Sequence, residues 1–247
     1  MSEARLLPSA AIQVESLGYR YPDGTLALDD GSFSVVEGES VYLAGPNGAG
    51  KSTLLLALAG LLDTAGEVRI AGQLHQDAVP LGLVFQDPDD QLFCATVAED
   101  VAFGPRNQKL PADEVSQRVM QALEQTGLAG FEHRSAHHLS GGEKKRAAIA
   151  AVLACRPLVL ALDEPWANLD ARGAAAVTRI INSFAGTRII TSQDLHRAAE
   201  VCQRIIVLDQ GRVVADGPLD QIVANRDFLE EHGLEAGRIC PHCKRCF

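Results

Sequence analysis

Along residues 11–17 apolar and polar side chains alternate, Ile12 and Val14 against Gln13 and Glu15, the two-residue period of a half-buried strand. A Tyr-Pro-Asp-Gly turn at 21–24 closes it. The apolar run Ser40–Ala44 leads into a glycine-rich loop and then a leucine-rich helix at about 51–61. Short strands are predicted at 67–71 and 81–85. A polar, proline-punctuated section from Asp87 to about His138 follows. It holds an amphipathic helix near 111–126, with Val115, Val119, Ala122 and Leu123 on one face and Gly127 as its stop.

In the second half strand and helix alternate. Residues 158–162 are wholly apolar, as expected of a strand buried on both faces. A helix at 171–184, the strand Thr187–Thr191, a helix at 195–202 and a strand at 205–209 come next, and Gln210-Gly211 turns into a strand at 212–215. This order predicts an α/β fold, a parallel sheet flanked by helices and interrupted by a helical insertion. There is no internal repeat and no low-complexity linker.

Composition narrows the function classes. The 247 residues suffice for one α/β domain or two joined lobes, and 47% hydrophobic content argues against disorder. A net charge of -10, from 22 basic and 32 acidic residues, argues against a nucleic-acid partner. The apolar stretches at 54–62 and 147–155 fall short of the roughly 20 residues of a bilayer span. The start has no signal-peptide core, so a cytoplasmic product is expected. Of six cysteines, Cys94, Cys155 and Cys202 are scattered through apolar or amphipathic segments and read as reduced thiols.

Three stretches carry chemistry. Gly45-Pro46-Asn47-Gly48-Ala49-Gly50-Lys51-Ser52-Thr53 fits G-x-x-x-x-G-K-[ST] between a predicted strand and a predicted helix. Its glycines let backbone N–H groups wrap an anion at a helix start. Lys51 is expected on the β- and γ-phosphates of ATP and the Ser52 hydroxyl on Mg²⁺. The strand at 158–162 runs into Asp163-Glu164, carboxylates at the edge of a parallel sheet. Asp163 is expected to hold Mg²⁺ and Glu164 to polarise the attacking water. Ser140-Gly141-Gly142-Glu143, within Leu-Ser-Gly-Gly-Glu, is a capping box that offers N–H groups to a phosphate.

With these motifs on one chain, the sequence resembles the ATPase subunits of ATP-binding cassette transporters from about residue 11 to 226. The resemblance implies a P-loop nucleotide-binding domain with a RecA-like core, an antiparallel β subdomain and a helical signature subdomain at about 87–155. Residues 1–10 are then an extension and 227–247 a tail. It also implies that two subunits pack head to tail, so that Ser140, Gly141 and Gly142 of one close over ATP held at 45–53 of the other. Tyr21 would stack on adenine, with Tyr19 the second candidate. Gln86 would sense Mg²⁺ and the γ-phosphate, and Asp170 would couple the two sites. The segments Val-Phe-Gln-Asp-Pro-Asp-Asp-Gln-Leu-Phe at 84–93 and Thr-Val-Ala-Glu-Asp-Val-Ala-Phe-Gly-Pro at 96–105 are similar to ATPases of energy-coupling-factor importers of cobalt, nickel or vitamins such as biotin. The implied partners are a second ATPase subunit, identical or related, and membrane-embedded coupling and substrate-binding subunits at the cytoplasmic face. The acids at 87–90 are expected to grip a coupling helix.

Two features depart from the family pattern. A histidine is expected before Asp194-Leu195, where this chain has Gln193; His196 follows three residues on. An amide still donates a hydrogen bond but carries no proton or positive charge, so catalytic Lys51, Gln86, Glu164 and Gln193 are expected to give slow turnover. The rival readings are an ATPase subunit of another ABC importer and a slowly hydrolysing nucleotide-gated clamp. The second departure is Cys240-x-x-Cys243-x-x-Cys246 with His242, soft ligands at metal-binding spacing. A chain end with three reduced thiols is the alternative.

Overall fold

Continuous apolar runs and alternating ones fold into two different sheets. The structure, a computed structural model, describes residues 10–71, 73–74 and 81–234. The alternating strands β1 (Ala10–Arg20), β2 (Leu26–Val36), β4 (Ala65–Ile70) and β5 (Gln73–Leu74) form an antiparallel sheet in the order β2-β1-β4-β5. At the turn between β1 and β2 the Asp23 carboxylate accepts from Thr25 N at 2.9 Å. The solidly apolar β3 (Ser40–Ala44) and β7 (Val159–Leu162) are buried at every residue. With β6 (Leu81–Val84), β8 (Thr187–Thr191), β9 (Arg204–Asp209) and β10 (Arg212–Pro218) they form a sheet ordered β10-β9-β3-β8-β7-β6. All pairs in it are parallel except the edge strand β10, which turns back on β9 through Gln210 and Gly211, both at positive φ.

Period-two alternation divides the core. Val41, Leu43, Val159 and Ala161 point to a layer holding Ile12, Val14, Phe33 and, from α1 (Lys51–Leu58), Leu54 and Leu55. Tyr42, Ala44, Leu160 and Leu162 point to the other layer. That layer takes α5 (Ala171–Ser183), α6 (Leu195–Val201) and the three helices between β6 and β7: α2 (Val97–Asn107), α3 (Ala112–Gln125) and α4 (Gly141–Leu153). The six-stranded sheet is thus the middle of three layers. The short α7 (Leu219–Ala224) and α8 (Arg226–Glu231) follow β10.

The predicted face of α3 is the buried one, Val115, Val119, Ala122 and Leu123. Other boundaries shift. The first helix ends at Leu58, three residues before the predicted 61, because Gly60 adopts φ 80° and closes it. Gly60 N reaches Ala57 O at 3.1 Å and Leu61 N reaches Leu56 O at 3.0 Å, which leaves Leu61 58% exposed. The helix after Ser140 stops at Leu153, with Arg156 at φ 54°. Five elements lie in sequence left unassigned: β2, β5, α2, α7 and α8. Cys94, Cys155 and Cys202 are free, and burial pushes Cys94 up to about 11 and Cys202 to about 12. Cys240, His242, Cys243 and Cys246, and most of the expected extension at 1–10, lie outside the described residues.

Candidate nucleotide site

The loop from β3 to α1 needs glycine at two points for reasons of space. Gly45 sits at φ 153° and Gly50 at φ 101°. A Cβ on Gly45 would collide with the carbonyl oxygen of Leu208, and one on Gly50 with that of Ala27. The loop therefore runs backbone to backbone against β9 and β2, which a side chain forbids. Gly50 caps α1 without a side-chain acceptor, so the first-turn N–H groups point to the loop's concave side with the helix dipole behind them. A Cβ on Gly48 would meet nothing, so this turn of the loop faces open space. Lys51 Nζ donates to the carbonyls of Gly45 at 2.7 Å and Pro46 at 2.9 Å. Burial lowers its pKa, while the nearby Glu164 and Asp163 carboxylates act in the opposite sense. Tyr21 brings its ring beside this helix, its hydroxyl 3.0 Å from Thr53 Oγ1 and its ring 5.0 Å from that of Tyr19 in an edge-to-face pair.

Strand order brings the acid pair beside the loop, because β8 lies between β3 and β7. Thr191, at the end of β8, organises both acids. Its hydroxyl donates to Asp163 Oδ1 at 2.6 Å and accepts from Glu164 N at 2.9 Å. Glu164 is held at φ 44°, a conformation an L-residue adopts only under constraint. Its Oε2 accepts from Gln193 N at 3.1 Å. Burial raises the Glu164 pKa and Asp163 adds to the rise; the Gln193 N–H and the ammonium groups of Lys51 and Lys145 oppose it. A carboxylate so placed holds a proton more readily than one in water, as a general base at neutral pH requires.

The loop after β8 is tied down by the buried Tyr42, whose hydroxyl donates to Ser192 O at 2.7 Å. Gln193 is exposed and lies across the site mouth, its Nε2 3.4 Å from Asn47 Oδ1 on the phosphate loop. His196 stands on α6, its side chain 40% exposed and 3.9 Å from Glu200, so it does not take the place of Gln193. Gln86 follows β6 in a cleft of about 700 Å³ shared with Ser52, Asp163 and Gly141.

The signature turn is built as its capping box requires. Ser140 Oγ accepts from Glu143 N at 3.4 Å, and Glu143 Oε2 accepts from Ser140 N at 2.8 Å and Oγ at 2.7 Å. The Ser140 contacts hold the Glu143 carboxyl below its usual range. A Cβ on Gly141 would meet nothing, and one on Gly142 would lie 3.6 Å from Gly173 Cα. Asp170 caps α5 by accepting from Gly173 N at 2.7 Å, so the expected coupling residue also fixes the strand-to-helix turn.

Sequence reasoning missed Thr191, Tyr42 and Lys145. Thr191 carries a weak signal, a hydroxyl at the end of an apolar strand. Tyr42 and Lys145 read as an ordinary strand residue and an ordinary helix residue.

Comparison with known proteins gives the family. The family model described as "ABC transporter" matches residues 28–167. A putative ABC transporter ATP-binding protein of Gloeobacter violaceus is 48% identical over 231 residues, 90% of this chain and 95% of the relative. The energy-coupling factor transporter ATP-binding protein EcfA of Methanothermobacter thermautotrophicus is 44% identical over 239 residues, 92% of this chain and 77% of that protein. Among solved structures, cbiO1 of Clostridium perfringens, described as part of the ABC transporter complex cbiONQ, is similar with a TM-score of 0.77 and 36% identity, covering 92% of this chain and 95% of that one. A glycine loop at the head of α1, an acid pair at the end of β7 and a capped signature turn are thus carried by a chain that belongs to the ABC transporter family, as an ATP-binding ATPase subunit.

Proposed function

We propose that this subunit hydrolyses MgATP to energise an energy-coupling-factor importer whose cargo is nickel, cobalt or a vitamin. The observation that carries the catalytic part is the Thr191-bridged pair of Asp163 and the constrained Glu164 beside Lys51. ATP phosphates lie along 45–53, with Lys51 turning from the loop carbonyls to the β- and γ-oxygens and Tyr21 under the adenine. Ser52, Gln86 and Asp163 form an all-oxygen donor set suited to Mg²⁺, which holds few protein ligands and completes its shell with phosphate and water. When bound, Mg²⁺ neutralises charge on the phosphate oxygens. Glu164 accepts a proton from the attacking water as its oxygen bonds to the γ-phosphorus. The bond from that phosphorus to the bridging oxygen breaks, and the electron pair leaves with ADP. Gln193 donates its amide to a γ-oxygen.

Two subunits are needed for two complete sites. Gly48 and Gly141, one in each anion-binding turn, both face open space, which suits a head-to-tail pair. A second surface suits the membrane partner. Phe93 is 64% and Phe103 46% exposed, and their rings stack edge to face at 4.9 Å in a groove with Leu81, Gly82 and Pro157. Of the acids at 87–90, Asp87 accepts from Asp89 N and Asp89 is paired with Lys144 while its side chain stays 59% exposed. The exposed aromatic pair adds an apolar docking surface to these acids. Similarity to EcfA and to cbiO1 supports the importer class.

The test has two arms. Phosphate release per subunit is expected to rise with protein concentration as pairs form; turnover independent of concentration down to nanomolar protein, with no dimer present, would remove the two-subunit site. Purification from the native membrane is expected to bring down a membrane-embedded coupling subunit. Recovery instead with an extracytoplasmic binding-protein importer would assign another class. The Gln193 departure favours the slow clamp as second reading, and phosphate release too slow to measure would decide for it.

A further inference from the structure

Lys145 is the largest of the fully buried side chains and the only one of those with a charge, 1% exposed among the described residues. It sits one turn into α4, the helix that Ser140 caps. Among the described residues it forms no ion pair. Its ammonium donates instead to two backbone carbonyls, Phe85 O at 3.3 Å and Gln86 O at 2.5 Å. Burial lowers its pKa, while Asp87, Asp163 and Glu164 favour its charged form. The preceding Lys144 reaches the far side of the same loop, with Asp89 Oδ1 at 2.7 Å and Oδ2 at 2.9 Å. Two consecutive lysines of one helix thus hold both ends of the segment 86–89.

Burying an ammonium without a carboxylate partner is an expensive way to fill space, since an apolar side chain of equal length avoids the desolvation. What the ammonium adds is a fixed register between α4 and the backbone of Gln86. The turn at the N-terminus of α4 is Ser140–Gly142, and Gln86 shares its cleft with Ser52 and Asp163. We propose that Lys145 is a positioning residue that couples the signature turn to Gln86 in the phosphate site of the same subunit. Engagement of Ser140–Gly142 by the partner's nucleotide shifts α4, and Lys145 carries that shift to the Gln86 carbonyl. The inference rests on the reading that Gln86 senses Mg²⁺ and the γ-phosphate.

The test compares Lys145→Met, Lys145→Gln and Gln86→Ala in the full chain, reading the half-saturating Mg²⁺ concentration, the Hill coefficient for ATP and the melting temperature. Lys145→Met keeps the volume and removes the donors. It is expected to raise the Mg²⁺ midpoint at least about fivefold, the lower end of ordinary site coupling, and to bring the Hill coefficient to one without loss of thermal stability. Lys145→Gln, which keeps a donor, falls between Lys145→Met and the native chain, and serves in its place should Lys145→Met not fold. An unchanged Mg²⁺ midpoint and Hill coefficient, with only the melting temperature moved, overturns the coupling and leaves Lys145 a packing residue. Gln86→Ala separates the two ideas. A shifted Mg²⁺ midpoint there with none in either Lys145 variant overturns the inference alone, whereas no shift in Gln86→Ala overturns the reading of Gln86 and the inference with it.

Discussion

Thr191→Val removes one oxygen atom and keeps the shape. Thr191 is 0% exposed, so no water replaces that oxygen. Two bonds go together: the donation to Asp163 at 2.6 Å and the acceptance from Glu164 N at 2.9 Å. A hydrogen bond to a charged group contributes about 1.5–3 kcal/mol, and a buried N–H left without a partner costs about 1–3 kcal/mol. The two losses share one oxygen and are not additive, so about 3 kcal/mol is expected in total. For a chain of this size that corresponds to a fall in melting temperature of roughly 6–12 °C. Glu164 also loses the anchor that holds it at φ 44°, so turnover should fall more than stability alone explains. Thr191→Ser is the control: it keeps the oxygen and loses a methyl, at about 1 kcal/mol. Melting curves and phosphate release on the three proteins decide it. Were Thr191→Val to melt within about 2 °C of the native chain, or Thr191→Ser to melt below Thr191→Val, the hydroxyl bridge would not be what holds the acid pair.

Other substitutions probe the neighbouring parts. Glu164→Gln should cut turnover by about 10²–10⁴-fold, the range of a lost general base, and leave ATP binding intact. Because burial raises the Glu164 pKa above 4.5, its charged form costs stability. The native chain should therefore lose stability relative to Glu164→Gln as the pH rises from about 4.5 through the raised value, and the gap should then level off; a gap independent of pH between 4 and 9 would contradict this. Gln193→His should preserve or raise the ATPase rate, and Gln193→Ala should lower it by up to about 10²–10³-fold. Unchanged turnover in Gln193→Ala places that amide away from the reaction. Gly50→Ala combines a left-handed backbone with a collision at Ala27 O and should cost about 3 kcal/mol or more. Gly48→Ala, with open space around it, should cost only about 1–2 kcal/mol, and equal melting losses for the pair would refute the steric account.

Local chemistry was the most legible part of the sequence. The phosphate loop, the acid pair and the capped signature turn each occupy neighbouring residues, so spacing alone exposes them. The central strands β3 and β7 announced themselves as apolar runs, and α3 by its four-residue face. The sequence hid β2 because Asp29, Asp30 and Gly31 break its alternation at mid-strand. It hid α2 because Gly104 and Pro105 sit in its last turn, although Thr96 and Glu99 form the same capping box as Ser140 and Glu143. The polar contacts that shape the site were out of reach for a different reason. Thr191 meets Glu164 across 27 residues of chain and Lys145 meets Gln86 across 59, and only strand order and helix docking create those contacts.

The division of the core by the middle sheet sets how far the effect of a mutation can spread. Buried side chains of α2, α3 and α4 share one core layer with Val84, Leu160 and Leu162, whereas those of α1 belong to the layer on the opposite faces of the same strands. A repacked methyl group on α2 or α3 thus has the sheet between it and α1, and its effect reaches the glycine loop through α4, whose Lys145 touches Gln86, and through the strands. The outward faces of α2 and α3 can therefore change while the glycine loop stays put, and an engineer who wishes to graft a new face can do so there without touching Gly45, Gly48 or Gly50.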